Sequence, residues 1–157
     1  MTTHRTAPTQ TTRRPLVSLF ALLVGLAFLA VGALGFIPGI TTNYDQMQFA
    51  GHESGAELFG IFQVSILHNI VHLAFGVIGL ALAPAARAAM LYLIIGGLVY
   101  LALWIYGLAV DHQSDANFVP VNNADNWLHL GLGVGMIVLG LIGWGAWRNR
   151  RERMSNA

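Results

Sequence analysis

Four long apolar stretches, three of them free of any Asp, Glu, Lys or Arg, constrain this chain more than anything else in it. The charge-free runs extend from Leu16 to Ile37, from Ile66 to Ala83 and from Ala88 to Val110. The fourth, from Ala124 to Trp147, carries a single acid, Asp125, at its start. At 1.5 Å per residue in a helix, each run approaches or exceeds the roughly 30 Å hydrocarbon thickness of a bilayer. Backbone groups in hydrocarbon have no water to bond, so such runs must be helical. Hydrophobic residues make up 55% and charged residues 10%, against roughly 25% charged in soluble domains. Too little polar surface remains to cover a soluble core. The expected fold class is all-α, an integral membrane four-helix bundle.

The punctuation between the runs divides the chain. Residues 1–15 are Thr-rich and apolar-poor and read as a flexible tail. The first run is too long for the apolar core of a signal peptide, about 7–15 residues, and is expected to be retained. Pro38-Gly39 stops it. Residues 38–64 form a large loop whose apolar end, Leu58-Phe59-Gly60-Ile61-Phe62, is expected as a brief interfacial helix or an outward extension of the next span. Ser65 is placed to cap the second span, which ends at Pro84 before the turn Ala85-Ala86-Arg87. Tyr100, Trp104 and Tyr106 lie towards the far end of the third span and suit an interfacial belt. A second polar loop, 111–125, precedes the fourth span. The division is therefore a tail (1–15), a transmembrane domain (16–147, spans 16–37, 66–83, 88–110 and 124–147) and a basic tail (148–157).

Charge sets the orientation. All eight basic residues are arginines: Arg5, Arg13 and Arg14, then Arg87, then Arg148, Arg150, Arg151 and Arg153. Six of the seven acids lie in the two other loops, and only Glu152 does not. Positively charged segments stay in the cytoplasm. Both termini and the Arg87 turn are expected inside, the acidic loops outside, and the protein in a bacterial plasma membrane.

Within this apolar frame the second span opens on Ser65-Ile66-Leu67-His68-Asn69-Ile70-Val71-His72-Leu73. At an offset of 57 residues it lies over Asn122-Asn123-Ala124-Asp125-Asn126-Trp127-Leu128-His129-Leu130, sharing V-[SN]-x-x-[HD]-N-x-x-H-L-x-x-G-V from Val64 and Val121. Both copies enter from the same side, which makes the expected repeat a parallel pair of hairpins. The first and third spans show little in common beyond glycines. Residues three and four apart share a helix face, so His68, Asn69 and His72 project together, as do Asp125, Asn126 and His129. Gly76 and Gly79 on one helix, and Gly133 and Gly140 on the other, are expected to let these two faces meet.

Three readings of the six polar residues compete. In the first they hydrogen-bond across the bundle, fix its register and dock the loops, with no cofactor; such bonds average about 0.6 kcal/mol in membranes. In the second, His68, His72, Asp125 and His129 hold a divalent metal tetrahedrally. Alternatively His72 and His129 bind haem b axially, with Gly76 and Gly133 clearing room for the ring. In the third, the cluster serves a small solute or proton, since ionisable residues in a membrane are functional candidates by default. No charged residue lies in the inner half of any span, which favours an outward pocket over a channel. His52 with Glu53, and Asp111 with His112, read as solvated loop residues. Gly131-x-x-x-Gly135 matches the small-residue packing motif.

There is no cysteine, hence no disulfide or thiolate site. Gly-rich phosphate loops, Ser-His-Asp arrangements and nucleic-acid motifs are likewise missing, and no catalytic set is identified. The expected partners are the lipid bilayer and either a second copy or another membrane protein. The segments Leu58-Phe59-Gly60-Ile61-Phe62, Leu67-His68-Asn69-Ile70-Val71-His72-Leu73 and Asn123-Ala124-Asp125-Asn126-Trp127-Leu128-His129-Leu130 resemble an uncharacterised family of small actinobacterial membrane proteins, a domain of unknown function with four spans. The resemblance covers about residues 14–147 and implies a bacterial membrane protein without supplying an activity.

Overall fold

The computed structural model describes residues 14–156. Of the tail assigned to 1–15, only Arg14 and Pro15 fall among them. Four helices form: α1 (Leu16–Leu34), α2 (Ile66–Leu82), α3 (Ala86–Ala109) and α4 (Asn123–Ser155). Three of them, α1, α3 and α4, are long and apolar enough to cross a membrane, while α2 has 17 residues. The first helix stops before Ile37 because Phe36 and Ile37 turn back to the carbonyls of Ala33 and Leu34. Pro38 also disfavours a helical residue before it. The fourth runs on through the basic segment to Ser155. At 1.5 Å per residue its 33 residues span about 50 Å. Its last turns stack Trp144 on Trp147 with ring centroids 4.5 Å apart, and Arg151 lies 5.1 Å over the Trp147 ring.

The hairpin-linked helices pack tightly, and glycine is the reason. A side-chain carbon at Gly76 would stand 2.6 Å from Leu29 Cγ and 2.8 Å from the Gly25 carbonyl oxygen, both on α1. At Gly133 it would stand 2.7 Å from Leu101 Cδ2 and 3.0 Å from the Gly97 carbonyl oxygen, both on α3. The expectation that the glycine faces of α2 and α4 meet each other is thus corrected: Gly76 faces α1, Gly133 and Gly140 face α3, and Gly79 stands between Tyr92 of α3 and Gly25 of α1. Gly131 and Gly135 look onto open space, so that motif is not a packing seam among the described residues of this chain. The matched contacts have a counterpart in sequence. The first and third spans, read above as having little in common beyond glycines, do match here: residues 25–35 lie over 97–107 at an offset of 72, sharing G-L-x-[FY]-L-A-x-x-x-x-G.

Between the hairpins, Phe28 of α1 stacks on Tyr100 of α3 with centroids 5.3 Å apart and planes 13° from parallel. Tyr100 is buried in the core, not in an interfacial belt as its place in the span suggested. Phe75, Ile78, Tyr92 and Ile95 line an apolar groove of about 210 Å³ between α2 and α3.

The first loop is a small antiparallel sheet of order β1-β2-β3, comprising β1 (Thr41–Thr42), β2 (Glu57–Leu58) and β3 (Phe62–Gln63). Leu58 pairs with Phe62 and Glu57 with Gln63. The segment expected as a short helix is therefore a β-hairpin. Phe59 (φ 57°) and Gly60 (φ 67°) both take the left-handed conformation, which no right-handed helix can continue. The second loop ties to the first where Gly51 N donates to the Phe118 carbonyl at 2.8 Å. His112 is not simply solvated: its Nε2 lies 2.9 Å from the Gly107 carbonyl at the end of α3. The exposed aromatic residues at this end are Phe49, Phe59, Phe118 and Trp127.

Candidate functional site

Local capping positions the polar residues. Ser65 Oγ accepts from His68 N at 3.1 Å, which begins α2. Asn122 and Asp125 form a reciprocal capping box that begins α4, with Asp125 N to Asn122 Oδ1 at 2.9 Å and Asn122 N to Asp125 Oδ2 at 3.0 Å. The same Asp125 oxygen accepts from Gln63 N of β3 at 3.0 Å. Asn122 Nδ2 donates to the Ile61 carbonyl at 2.8 Å. The start of α4 thereby latches the β-hairpin over the ends of α2 and α4.

One turn into each helix the six residues divide. His68, His72, His129 and Asp125 line a partly open cavity of about 70 Å³, bordered by Leu58, Phe59 and Phe62. Asn69 instead packs against Gly35 at the end of α1, and Asn126 against Gly107 at the end of α3; a side-chain carbon at either glycine would collide with the amide. All six are buried. The single cluster expected from the sequence is thus a histidine cavity with an asparagine socket on either side.

The imidazoles are held from behind. His68 and His72 stack with centroids 4.5 Å apart and planes 12° from parallel, and His129 lies 6.5 Å from His68. Phe28 packs on His72 at 5.6 Å and Tyr100 on His129 at 5.3 Å. His72 Nδ1 lies 3.0 Å from the His68 carbonyl. Nδ1 of His68 and Nδ1 of His129 are buried with no hydrogen-bond partner.

This geometry bears on the metal and haem readings. Lone pairs of imidazole lie in the ring plane, so two rings stacked nearly parallel cannot both aim at one ion about 2.0–2.1 Å away. His72 Nδ1 and Asp125 Oδ2 are already engaged. Among the described residues no group of three His, Asp or Glu is placed to hold a metal ion. Haem would need space beside Gly76 and Gly133, and Leu29 and Leu101 fill it.

Sequence reasoning missed Gln63 and Asn122, which make the latch, and Phe28 and Tyr100, which orient the rings. The aromatic pair was detectable as the shared aromatic of the 25–35 and 97–107 segments. The latch had no signal, since residues 63 and 125 meet only in the folded chain.

Comparison with known proteins now adds a family. The model described as Domain of unknown function (DUF4383) matches residues 18–142. The chain belongs to the DUF4383 family. The DUF4383 match takes in the loop sheet, the latch, the cavity and both asparagine sockets, and stops short of the arginines of α4. No curated protein and no solved structure matches the chain.

Proposed function

We propose that this is a four-span protein of a bacterial plasma membrane, with both termini cytoplasmic and an outward-facing histidine pocket that binds a small ligand. The four-span reading adds α2 to the three longer helices. Its 17 residues rise about 25 Å, and apolar Ala83 extends the run. Arginine at the α2–α3 turn and along the end of α4 supports the inside assignment. The matched contacts Gly25–Gly76 and Gly97–Gly133 support a parallel repeat of two hairpins, with the β-sheet an insertion in the first.

Because the chain has no cysteine, single cysteines report topology directly. Ser114→Cys in the second loop is expected to react with a membrane-impermeant maleimide in intact cells. Ser155→Cys is expected to react only after permeabilisation. Equal labelling of both before permeabilisation overturns the orientation.

One observation carries the pocket over a purely structural role: the unpartnered Nδ1 atoms of His68 and His129, in rings that line a partly open cavity. A structural histidine makes its bonds within the fold, whereas a buried polar group left unpaired costs about 1–3 kcal/mol. His129→Leu removes that cost while keeping bulk against Tyr100. It is expected to leave thermal stability in detergent unchanged or to raise it by about 1–2 kcal/mol. A loss of that size would assign the histidines to holding the bundle instead.

A further inference from the structure

We infer that the groove between α2 and α3 seats one acyl chain of an anionic phospholipid of the cytoplasmic leaflet, with the lipid phosphate held by Arg87. The site is separate from the histidine pocket and rests only on the four-span topology proposed above.

Shape selects a hydrocarbon chain over a helix. The groove of about 210 Å³ lies between Phe75, Ile78 and Leu82 of α2 and Leu91, Tyr92 and Ile95 of α3. Phe75 and Leu82 are about 10 Å apart along the helix axis, in the half of α2 nearer the Arg87 turn. Ile78, Leu91 and Ile95 are exposed, so the groove opens towards lipid. Its floor is closed. Tyr92 Oη donates to the Phe75 carbonyl at 3.2 Å and ties α3 to α2. A side-chain carbon at Gly79 would stand 2.7 Å from Tyr92 Oη, so the glycine admits the ring. A helix about 10–12 Å across cannot enter a crevice bridged by one hydrogen bond, whereas a flexible acyl chain can lie along it. Apolar surface in a bilayer has no hydrophobic drive towards another helix, so fit decides the occupant. The matching seam of the repeat, between α4 and α1, is shut: a side-chain carbon at Gly143 would stand 2.7 Å from Val17 Cα.

Charge names the headgroup. Arg87, Leu91 and Ile95 follow at steps of four and share one face of α3. Arg87 thus lies about 6 Å beyond Leu91 along the axis, at the inner mouth of the groove. It is exposed, and no Asp or Glu occurs between Glu57 and Asp111 to neutralise it locally. A guanidinium offers phosphate paired N–H donors, and basic pockets between spans on the cytoplasmic side hold anionic headgroups. An apolar groove with a cation one turn past its end matches the two parts of a phospholipid. A zwitterionic headgroup carries its own cation, so the anionic lipid gains more from Arg87.

The test counts lipids bound to the full-length protein by native mass spectrometry in detergent. The probes are phosphatidylglycerol and phosphatidylcholine with identical chains. One phosphatidylglycerol per chain is expected to bind saturably and more tightly than phosphatidylcholine. Arg87→Gln should weaken that first phosphatidylglycerol about fivefold, the worth of one arginine near an anionic surface, and leave phosphatidylcholine unchanged. The combined variant Arg148→Gln, Arg150→Gln, Arg151→Gln and Arg153→Gln should keep it. Ile95→Trp, which fills the groove from its exposed side, should remove the first lipid of either kind. Equal affinity for the two lipids overturns the proposal, as does unchanged binding in Ile95→Trp. A first phosphatidylglycerol lost with the C-terminal arginines but kept in Arg87→Gln also overturns it, and so does a second copy of the chain binding in place of lipid. The cysteine labelling decides the topology separately, so failure here with that labelling as expected is failure of the lipid site alone.

Discussion

Gly133→Ala is expected to destabilise the protein by about 1–3 kcal/mol, the cost of overpacking a close helix contact. The same change at Gly131, two residues away on α4, is expected to be neutral or to stabilise by up to about 1 kcal/mol through helix propensity. The difference is positional. A methyl group at 133 would enter the space of Leu101 and the Gly97 carbonyl, whereas one at 131 meets nothing within 4 Å. At Gly97 a methyl would stand 2.7 Å from the Gly133 carbonyl oxygen, so the double variant Gly97→Ala with Gly133→Ala must separate α3 from α4 bodily. Gly76→Ala should reproduce the effect between α1 and α2, against Leu29 and the Gly25 carbonyl. Melting curves in one detergent for the four variants make the comparison. Equal stability of Gly131→Ala and Gly133→Ala would remove the glycine contacts as the basis of hairpin packing.

Asp125→Ala is expected to cost about 2–5 kcal/mol and to release the β-hairpin. The buried carboxylate accepts from Asn122 N and Gln63 N, both at 3.0 Å. Without it two backbone donors lose their acceptor, at about 1–3 kcal/mol each where buried; the Asn122 cap on the backbone N of residue 125 remains, and only the reciprocal half of the capping box is lost. Asp125→Asn can place its one amide oxygen where Oδ2 accepts both bonds and should lose much less, the remaining cost coming from the weaker acceptor. Proteolysis within residues 41–63 should accelerate in Asp125→Ala beyond what the change in melting explains, because the hairpin is held from α4 by so few bonds. An unaltered melting temperature and cleavage rate would show that the latch contributes nothing.

Much of this architecture was legible because bilayer thickness and backbone bonding leave few choices. The runs from Leu16, Ile66 and Ala88 begin helices within two residues of where the sequence puts them. Ser65 caps α2 as its position before the apolar run suggests. The hairpin at Phe59-Gly60 was missed because apolar content outweighed a turn that depends on left-handed backbone at a phenylalanine. Periodicity carries no such information. Helix partners were also missed. A glycine stripe says that something approaches closely and does not say which helix, and here α2 chooses α1 while α4 chooses α3.

The candidate site divides along the same line. By sequence alone, two apolar helices each carried a polar box ending in histidine, at matched depth, and that placement follows from helical periodicity. Which nitrogens would be free was not encoded there. It was decided by the fold around the rings: Phe28 and Tyr100 behind them, the His68 carbonyl at the His72 ring, and Gln63 bound to Asp125 across 62 residues. The asparagines, adjacent in sequence to the same boxes, went instead to Gly35 and Gly107. A helix turns about 100° per residue, so neighbours such as His68 and Asn69 diverge in direction, and only the packed bundle determines what each one meets.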